Sequence, residues 1–430
     1  MSGFGAAYRL YAEGITPVMY DKNPYHGGQT ASFRYDSGFL FDLGPHISFT
    51  KDTRIQDLFA ESVDHQYETM QINLNNYWRG YWPRHPVQVN LHGLPEDVII
   101  KVIKDFVEVR QAPDNHVRNY ADWLLSSFGK TFAELFPMQY TRKYHLTTAD
   151  NMSTDWLGPR IYRPSLEEVL RGALSSSSSS PNVHYITHFR YPTEGGFVSY
   201  LKKFVPLGNL KLNHKLVSLD PRTRQLTFSN GIEDHYDALI SSVPLPDLIS
   251  MIRGAPKDVL DASRRLACST CVLVNMGVDR EDISQAQLTY FYDEDICFTR
   301  LSFPHMFSAS NVPPGTGSIQ AEVYFSDKYK PLTGSPDGWI EPVITDLRRC
   351  GVLREDDGVL FSNAIFVRYA NVIFDLERKA ALETVHGYLD DLGIAYCGRY
   401  GDWGYLWTDE SFKSGENAAQ KVLDRVNWKV

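Results

Sequence analysis

The chain has 430 residues, more than one ordinary hydrophobic core can organise, so two or three domains are expected. A hydrophobic share of 43% against 22% charged residues describes a globular chain, and no apolar run reaches membrane-spanning length. A net charge of −9 with no basic stripe argues against a nucleic-acid partner, so any anionic ligand has to be met by a local cluster of arginines.

Residues 1–14 read as a helix rich in small residues and closed by Gly14. Val18, Met19 and Tyr20 follow as a short apolar strand ending on Asp21, an acid placed to accept hydrogen bonds from a ribose. Gly27 and Gly28 come next, where bare backbone can approach a pyrophosphate. This is the second half of a dinucleotide-binding unit, and the cofactor it points to is FAD. A complete G-x-G-x-x-G fingerprint follows a strand and opens the helix. Here Gly3 fits only its last glycine, while the spacing from Gly3 to Asp21 still suits a ribose-binding acid. The expectation is a truncation of one strand and a turn, on the order of ten residues. The competing reading is a helix that packs its small face on a sheet.

A short hairpin leads into D-L-G-P-H, which ends on His46, and residues 51–75 then look helical. The alternating aromatics of 77–83 read as a hairpin. Helical spacing covers 98–109, 120–128, 131–135 and 165–173, an inserted helical domain. The serine run 175–180 reads as an inert surface loop. Further on, 197–204 reads as helix, 210–219 with 225–228 as a hairpin, and 236–244 as a buried strand. Segments 271–278, 288–292, 298–303, 318–324 and 364–369 alternate as strands of an antiparallel sheet, with one helix near 340–350. A strand runs from 394 into a glycine turn, and Asp409 to Phe412 cap a final helix to residue 426.

Five cysteines and no signal peptide fit a reducing, cytoplasmic setting. Cys268 and Cys271 spell C-x-x-C on a strand rather than at a helix start, so core packing is expected of them. No cluster has metal-ligand spacing, and no metal is expected.

The fold class expected is therefore α/β. A Rossmann-like FAD-binding domain, its first strand missing, is assembled from 1–80, 181–250 and 394–430. A helical insertion, 81–180, and an antiparallel-sheet substrate domain, 251–393, interrupt it.

The order D-K-N…G-G-Q-T-A-S, G-F-L-F-D-L-G-P-H, F-R-Y-P-T-E-G-G, G-R-Y-G-D-W…D-E-S-F-K-S-G resembles the UDP-galactopyranose mutases. These belong to the wider class of amine-oxidase-like and protoporphyrinogen-oxidase-like FAD proteins. The resemblance implies a small-molecule substrate, a nucleotide sugar, whose ring is isomerised through N5 of the reduced flavin. It places His46 at the flavin N5 edge, and Arg160, Arg300 and Arg399 on the substrate diphosphate. Tyr290, Tyr405, His85 and Asn371 fall on substrate positions. Cofactor contacts fall on Gly3, Asp21, Lys22, Gly28, Gln29 and Thr30, then on Gly44, Pro45 and His46. Leu216, Arg399, Asp409 and Ser411 complete that set.

Three guanidiniums from distant segments suit bidentate, charge-assisted contacts to a diphosphate. The structural alternative for each is a surface ion pair worth about 0–1 kcal/mol. The sequence departs from the mutase pattern at Pro45, which replaces a glycine, and at Asn371 and His85, which align with tyrosines. Leu288 aligns with a uracil-stacking tryptophan. Two alternatives therefore stay open: an FAD-dependent oxidoreductase of the amine-oxidase-like class, and a relative that no longer holds FAD.

Overall fold

The computed structural model describes residues 1–111, 116–175 and 186–425. Its largest sheet has six strands, in the order Val359–Val367, Thr270–Val278, Gly317–Phe325, Arg300–Ser302, Leu288–Phe291 and Leu74–Tyr77. The two central long strands are buried at every residue, so they read as near-continuous apolar runs. One face packs on the helix Ile340–Arg349 through Val343, Ile344 and Leu347.

This sheet was expected to be antiparallel, and five strands are. The sixth comes from the amino-terminal third and pairs parallel to Leu288–Phe291. Nothing in the apolar pattern of Leu74–Tyr77 announces this, because the partner lies more than two hundred residues away.

The expected helix over 51–75 is shorter. It runs Thr53–Ser62, capped by Asp52 accepting from the Ile55 N–H, and ends where Asp64 and His65 take positive φ. Tyr67–Gln71 is instead a strand paired with His188–Pro192. The hairpin over 77–83 turns at Arg79 and Gly80 and is held by two bridges, Trp78 to Tyr81 and Asn75 to Arg84. The stretch 210–219 splits at Asn213, whose φ is +58°. Its first part, Asn209–Lys211, lies parallel to Val18–Tyr20, and its second, Leu216–Asp220, pairs antiparallel with Gln225–Phe228. The buried strand over 236–244 shrinks to Ile240–Ser241, parallel to Ala395–Tyr396, and Pro244 caps the helix Leu245–Met251. The helix over 197–204 is a 3-10 turn, Phe197–Leu201.

The helices Glu96–Gln111, Tyr120–Phe128, Lys130–Leu135 and Leu166–Leu174 lie where helical spacing placed them. The last opens with a reciprocal capping box between Ser165 and Glu168. Helices with no counterpart in the sequence reading include Pro137–Tyr144, Leu245–Met251, Lys257–Arg265 and Arg378–Asp391. The first was hidden by its proline, which sits at the first helical turn, where its missing N–H costs nothing. Residues 176–180 of the serine run lie outside the described residues.

The chain's two ends meet. The helix Ser2–Tyr11 packs against the helix Thr408–Arg425 so closely that a Cβ on Gly5 would lie 2.0 Å from the Phe412 carbonyl oxygen. A Cβ on Gly415 would lie 1.9 Å from the Ser2 carbonyl oxygen. Only glycine permits this approach, and it brings both helix N-termini to one cleft.

Candidate functional site

That cleft is a cavity of about 370 Å³ running between the helical ends and the large sheet. Its two ends are built differently.

The first end is mostly backbone. Met1 to Phe4 and Thr408 with Ser411 open on it, so two helix N-termini face the same space, an arrangement that favours negative charge. Asp21 closes the strand Val18–Tyr20. Its N–H donates to the Lys211 carbonyl, while its Oδ1 accepts from the Asn23 N–H at 2.9 Å. Gly27 and Gly28 have φ of +99° and +58°, and a Cβ on Gly28 would meet nothing within 4 Å. The Thr30 hydroxyl donates to the Gly27 carbonyl and holds that turn, and the Gln29 amide reaches the Tyr369 carbonyl. Bare backbone, an acid at a strand end and two helix N-termini fit a dinucleotide such as FAD.

Between the two ends lies the loop from Leu43 to Ile47. Asp42 anchors it: its carboxylate accepts from the Ser32 and Tyr191 hydroxyls and the Phe197 N–H, at 3.0 Å for the last. Burial lifts this carboxyl to about 6, against the pull of those donors. His46 donates from Nδ1 to the Gly44 carbonyl at 2.9 Å, which leaves Nε2 as an acceptor. Burial lowers its pKa to about 4, the Gly44 bond opposes this, and the Arg399 and Arg300 charges add to it. The imidazole is therefore neutral at ordinary pH.

The second end is made of side chains. Arg300 and Glu322 sit opposite each other in register and form a fork, Nε to Oε2 at 2.9 Å and Nη2 to Oε1 at 2.8 Å. The Tyr324 hydroxyl, two residues along the same strand face, donates to the same carboxylate at 2.8 Å. Asn371 donates to Tyr324 at 3.3 Å and accepts from Arg399 at 3.4 Å. A polar string thus runs Arg300–Glu322–Tyr324–Asn371–Arg399. Tyr290 and Tyr144 line the same end; burial raises both phenols, so they stay protonated donors.

Arg399, on the short helix Gly398–Gly401, donates from Nε and Nη2 to the Leu406 carbonyl. Arg160, on the turn Gly158–Arg160, donates to the carbonyls of Trp156 and Tyr405, at 3.0 and 2.6 Å. Both guanidiniums lie over the Tyr405 ring, at 4.5 Å for Arg160 and 5.3 Å for Arg399. Among the described residues, Arg300 has an ion-pair carboxylate and neither Arg160 nor Arg399 does.

Most of the expected residues line the cavity: Gly3, Asp21, Gly28, Gln29, Thr30, Gly44, Pro45, His46, Tyr290, Arg300, Asn371, Arg399, Tyr405 and Ser411. Five stand elsewhere. Arg160 lies behind Tyr405 rather than at the surface of the cavity. His85 is behind Tyr290, stacked on it at 4.8 Å with Nδ1 at 3.1 Å from Asn76 Oδ1. Lys22 is exposed. Leu216 packs on the core, and Leu210 takes the cavity position, because the break at Asn213 separates their strands. Asp409 faces Lys413 along its own helix.

The sequence reading missed Tyr144, Glu322, Tyr324 and Trp407, all of which line the cavity. A glutamate inside the buried run Gly317–Phe325 was a signal in plain view, since a buried carboxylate needs a cation or hydrogen-bond donors. Cys271 lies on the cavity wall as an inert thiol, raised well above its usual range by burial, and all five cysteines are free.

A single α/β scaffold with a glycine-walled dinucleotide cleft over a six-stranded sheet is the architecture of a flavoenzyme. The family described as "Flavin containing amine oxidoreductase" matches residues 1–423, and the chain belongs to it. Its cofactor is FAD, and it is an FAD-dependent enzyme. Among solved structures, a reduced UDP-galactopyranose mutase is similar at 26% identity and a TM-score of 0.90, over 99% of this chain and 94% of that one. An Exiguobacterium protein named as a protoporphyrinogen oxidase shares the fold at 14% identity and a TM-score of 0.75, over 98% of this chain and 96% of its own. Putrescine oxidase shares it at 14% identity and a TM-score of 0.63, over 99% of this chain and 97% of its own. Among the described residues, no helix is long and apolar enough to cross a membrane.

Proposed function

We propose that this flavoenzyme acts on a nucleotide-linked sugar and isomerises its ring without net oxidation. The observation that carries the reading is the pair of unneutralised guanidiniums, Arg160 and Arg399, on one phenol ring beside the cavity. In a chain of net charge −9 such a concentration of positive charge has to be held in place, and a diphosphate is the ligand that would neutralise it. The 26% identity to the mutase over nearly the whole chain points the same way.

FAD would be held by Asp21, Gly27, Gly28, Thr30, the Gly44–His46 loop and the Ser411 helix start. When bound and reduced it supplies a nucleophilic ring nitrogen. The chain's own groups bind and orient. Arg399 holds the diphosphate directly, and Arg160 adds its field from behind Tyr405. Tyr290, Tyr144 and Tyr405 donate to phosphate or sugar oxygens. Neutral His46 offers Nε2 as an acceptor, and its neutrality spares the site a third free cation. Burial by the tyrosines keeps bulk water from the reacting carbon.

The test is turnover of UDP-galactopyranose by protein pre-reduced with dithionite, followed by chromatography. Conversion to the furanose only after reduction supports the reading. No conversion in either state rejects it. The oxidoreductase alternative rests on Pro45 at the cavity, where a mutase glycine would stand, and on the oxidase folds above. It predicts flavin bleaching by substrate with an oxidised product, in unreduced enzyme.

A further inference from the structure

We infer that Trp407, which no motif marked, is a positioning residue: with Tyr405 it forms an aromatic cage that holds Arg160 as an unneutralised cation for an anionic substrate. The inference rests on the anionic-substrate reading above and adds to it the device that maintains the charge.

The Arg160 guanidinium carbon lies 4.5 Å from the Trp407 ring centroid and the same distance from that of Tyr405. A guanidinium over ring faces is attracted by their negative quadrupoles without its net charge being cancelled. The other contacts of Arg160 are neutral: Nη1 donates to the Trp156 carbonyl and Nη2 to the Tyr405 carbonyl. Its Nε is buried with no partner, so part of its hydrogen-bonding capacity is given up to keep the stacked position. Arg300 is held in the opposite way, by a carboxylate fork that uses up its charge. The cavity wall thus carries one neutralised arginine, Arg300, and one unneutralised one, Arg399, with the unneutralised Arg160 held behind Tyr405.

Trp407 is itself fixed at the start of the helix Thr408–Arg425. Its N–H donates to Glu410 Oε2 at 2.9 Å, its carbonyl accepts from the Ser411 N–H, and Phe49 meets its ring edge-on at 5.0 Å. That capping engages the Glu410 carboxylate with backbone rather than with Arg160. The geometry selects a ligand with concentrated negative charge, a diphosphate rather than a neutral sugar.

The experiment measures binding of inorganic pyrophosphate to the FAD-loaded protein through the change in flavin absorbance, at low and high salt. Trp407→Phe, Trp407→Leu and Trp407→Glu are compared with wild type, and FAD content and melting temperature are followed in each. Expected is affinity within about 3-fold of wild type for the phenylalanine variant and a loss of about 10-fold for leucine, at unchanged FAD content. Glutamate should bind more weakly again and flatten the salt dependence, because it neutralises Arg160 in place. Wild-type affinity in the leucine variant overturns the inference, as does equal loss in phenylalanine and leucine. If wild type binds no pyrophosphate, this inference falls with the anionic-substrate reading. If the series behaves as expected but UDP binds no tighter than pyrophosphate, the nucleotide part of the proposed function fails and the cage stands.

Discussion

On the proposed function, the two ends of the cavity hold charged ligands by different means. The cofactor end uses backbone: two helix N-termini, Gly27 and Gly28 at positive φ, and one strand-end acid. The substrate end uses side chains from four distant segments, joined as Arg300–Glu322–Tyr324–Asn371–Arg399. A backbone site is fixed by local geometry and tolerates little change in shape. A side-chain site is fixed by register between strands and can be retuned one residue at a time.

The largest expected effect breaks the first end. Gly415→Val places side-chain carbon where the Ser2 carbonyl now lies, so the helix pair must separate. We expect a loss of about 3 kcal/mol, at the upper end of overpacking costs, and loss of bound FAD. Calorimetry and the visible spectrum check both.

At the junction of the two ends, Asp42 sets a pH dependence. Its carboxyl is raised by burial from 3.8 to about 6, so folding favours the protonated form. Its contribution is complete below about 3.8 and is lost as pH rises through about 6, on the order of 3 kcal/mol. The melting temperature of wild type relative to Asp42→Asn should therefore fall between pH 4 and pH 6. A difference that is flat over this interval contradicts the assignment.

At the second end, Glu322→Gln should separate stability from binding. The Arg300 guanidinium loses its carboxylate, which costs about 2 kcal/mol, less than a fully buried pair because Arg300 opens on the cavity. Pyrophosphate affinity should rise, since a cation is released. Urea denaturation and anion titration of the same preparation test the two signs together. Smaller still, Tyr324→Phe removes one hydroxyl from the string and should cost about 1 kcal/mol.

The same contrast decides what could be read from the chain. Asp21, Gly27, Gly28 and the Ser411 helix start were legible because their spacing is local. The helix Leu166–Leu174 was legible for the same reason. Glu322 was not, because its meaning depends on the register that sets it opposite Arg300. Arg160 was placed at the site by motif, yet its position behind Tyr405 depends on a turn and two rings from the far end of the chain. Leu216 was misassigned because the break at Asn213 is a positive-φ turn at an asparagine, a residue that does not demand one. The parallel sixth strand of the large sheet escaped for want of any local signal.

The central claim is that an FAD-loaded cavity presents unneutralised arginines to a nucleotide diphosphate. Its most direct test is titration of UDP, UMP and uridine into the FAD-loaded protein, read by the flavin absorbance. The account predicts saturable shifts that are tightest for UDP, weaker for UMP and weakest for uridine, with the UDP signal lost in Arg399→Met. Equal shifts for UDP and uridine, or an unchanged UDP titration in Arg399→Met, would contradict it.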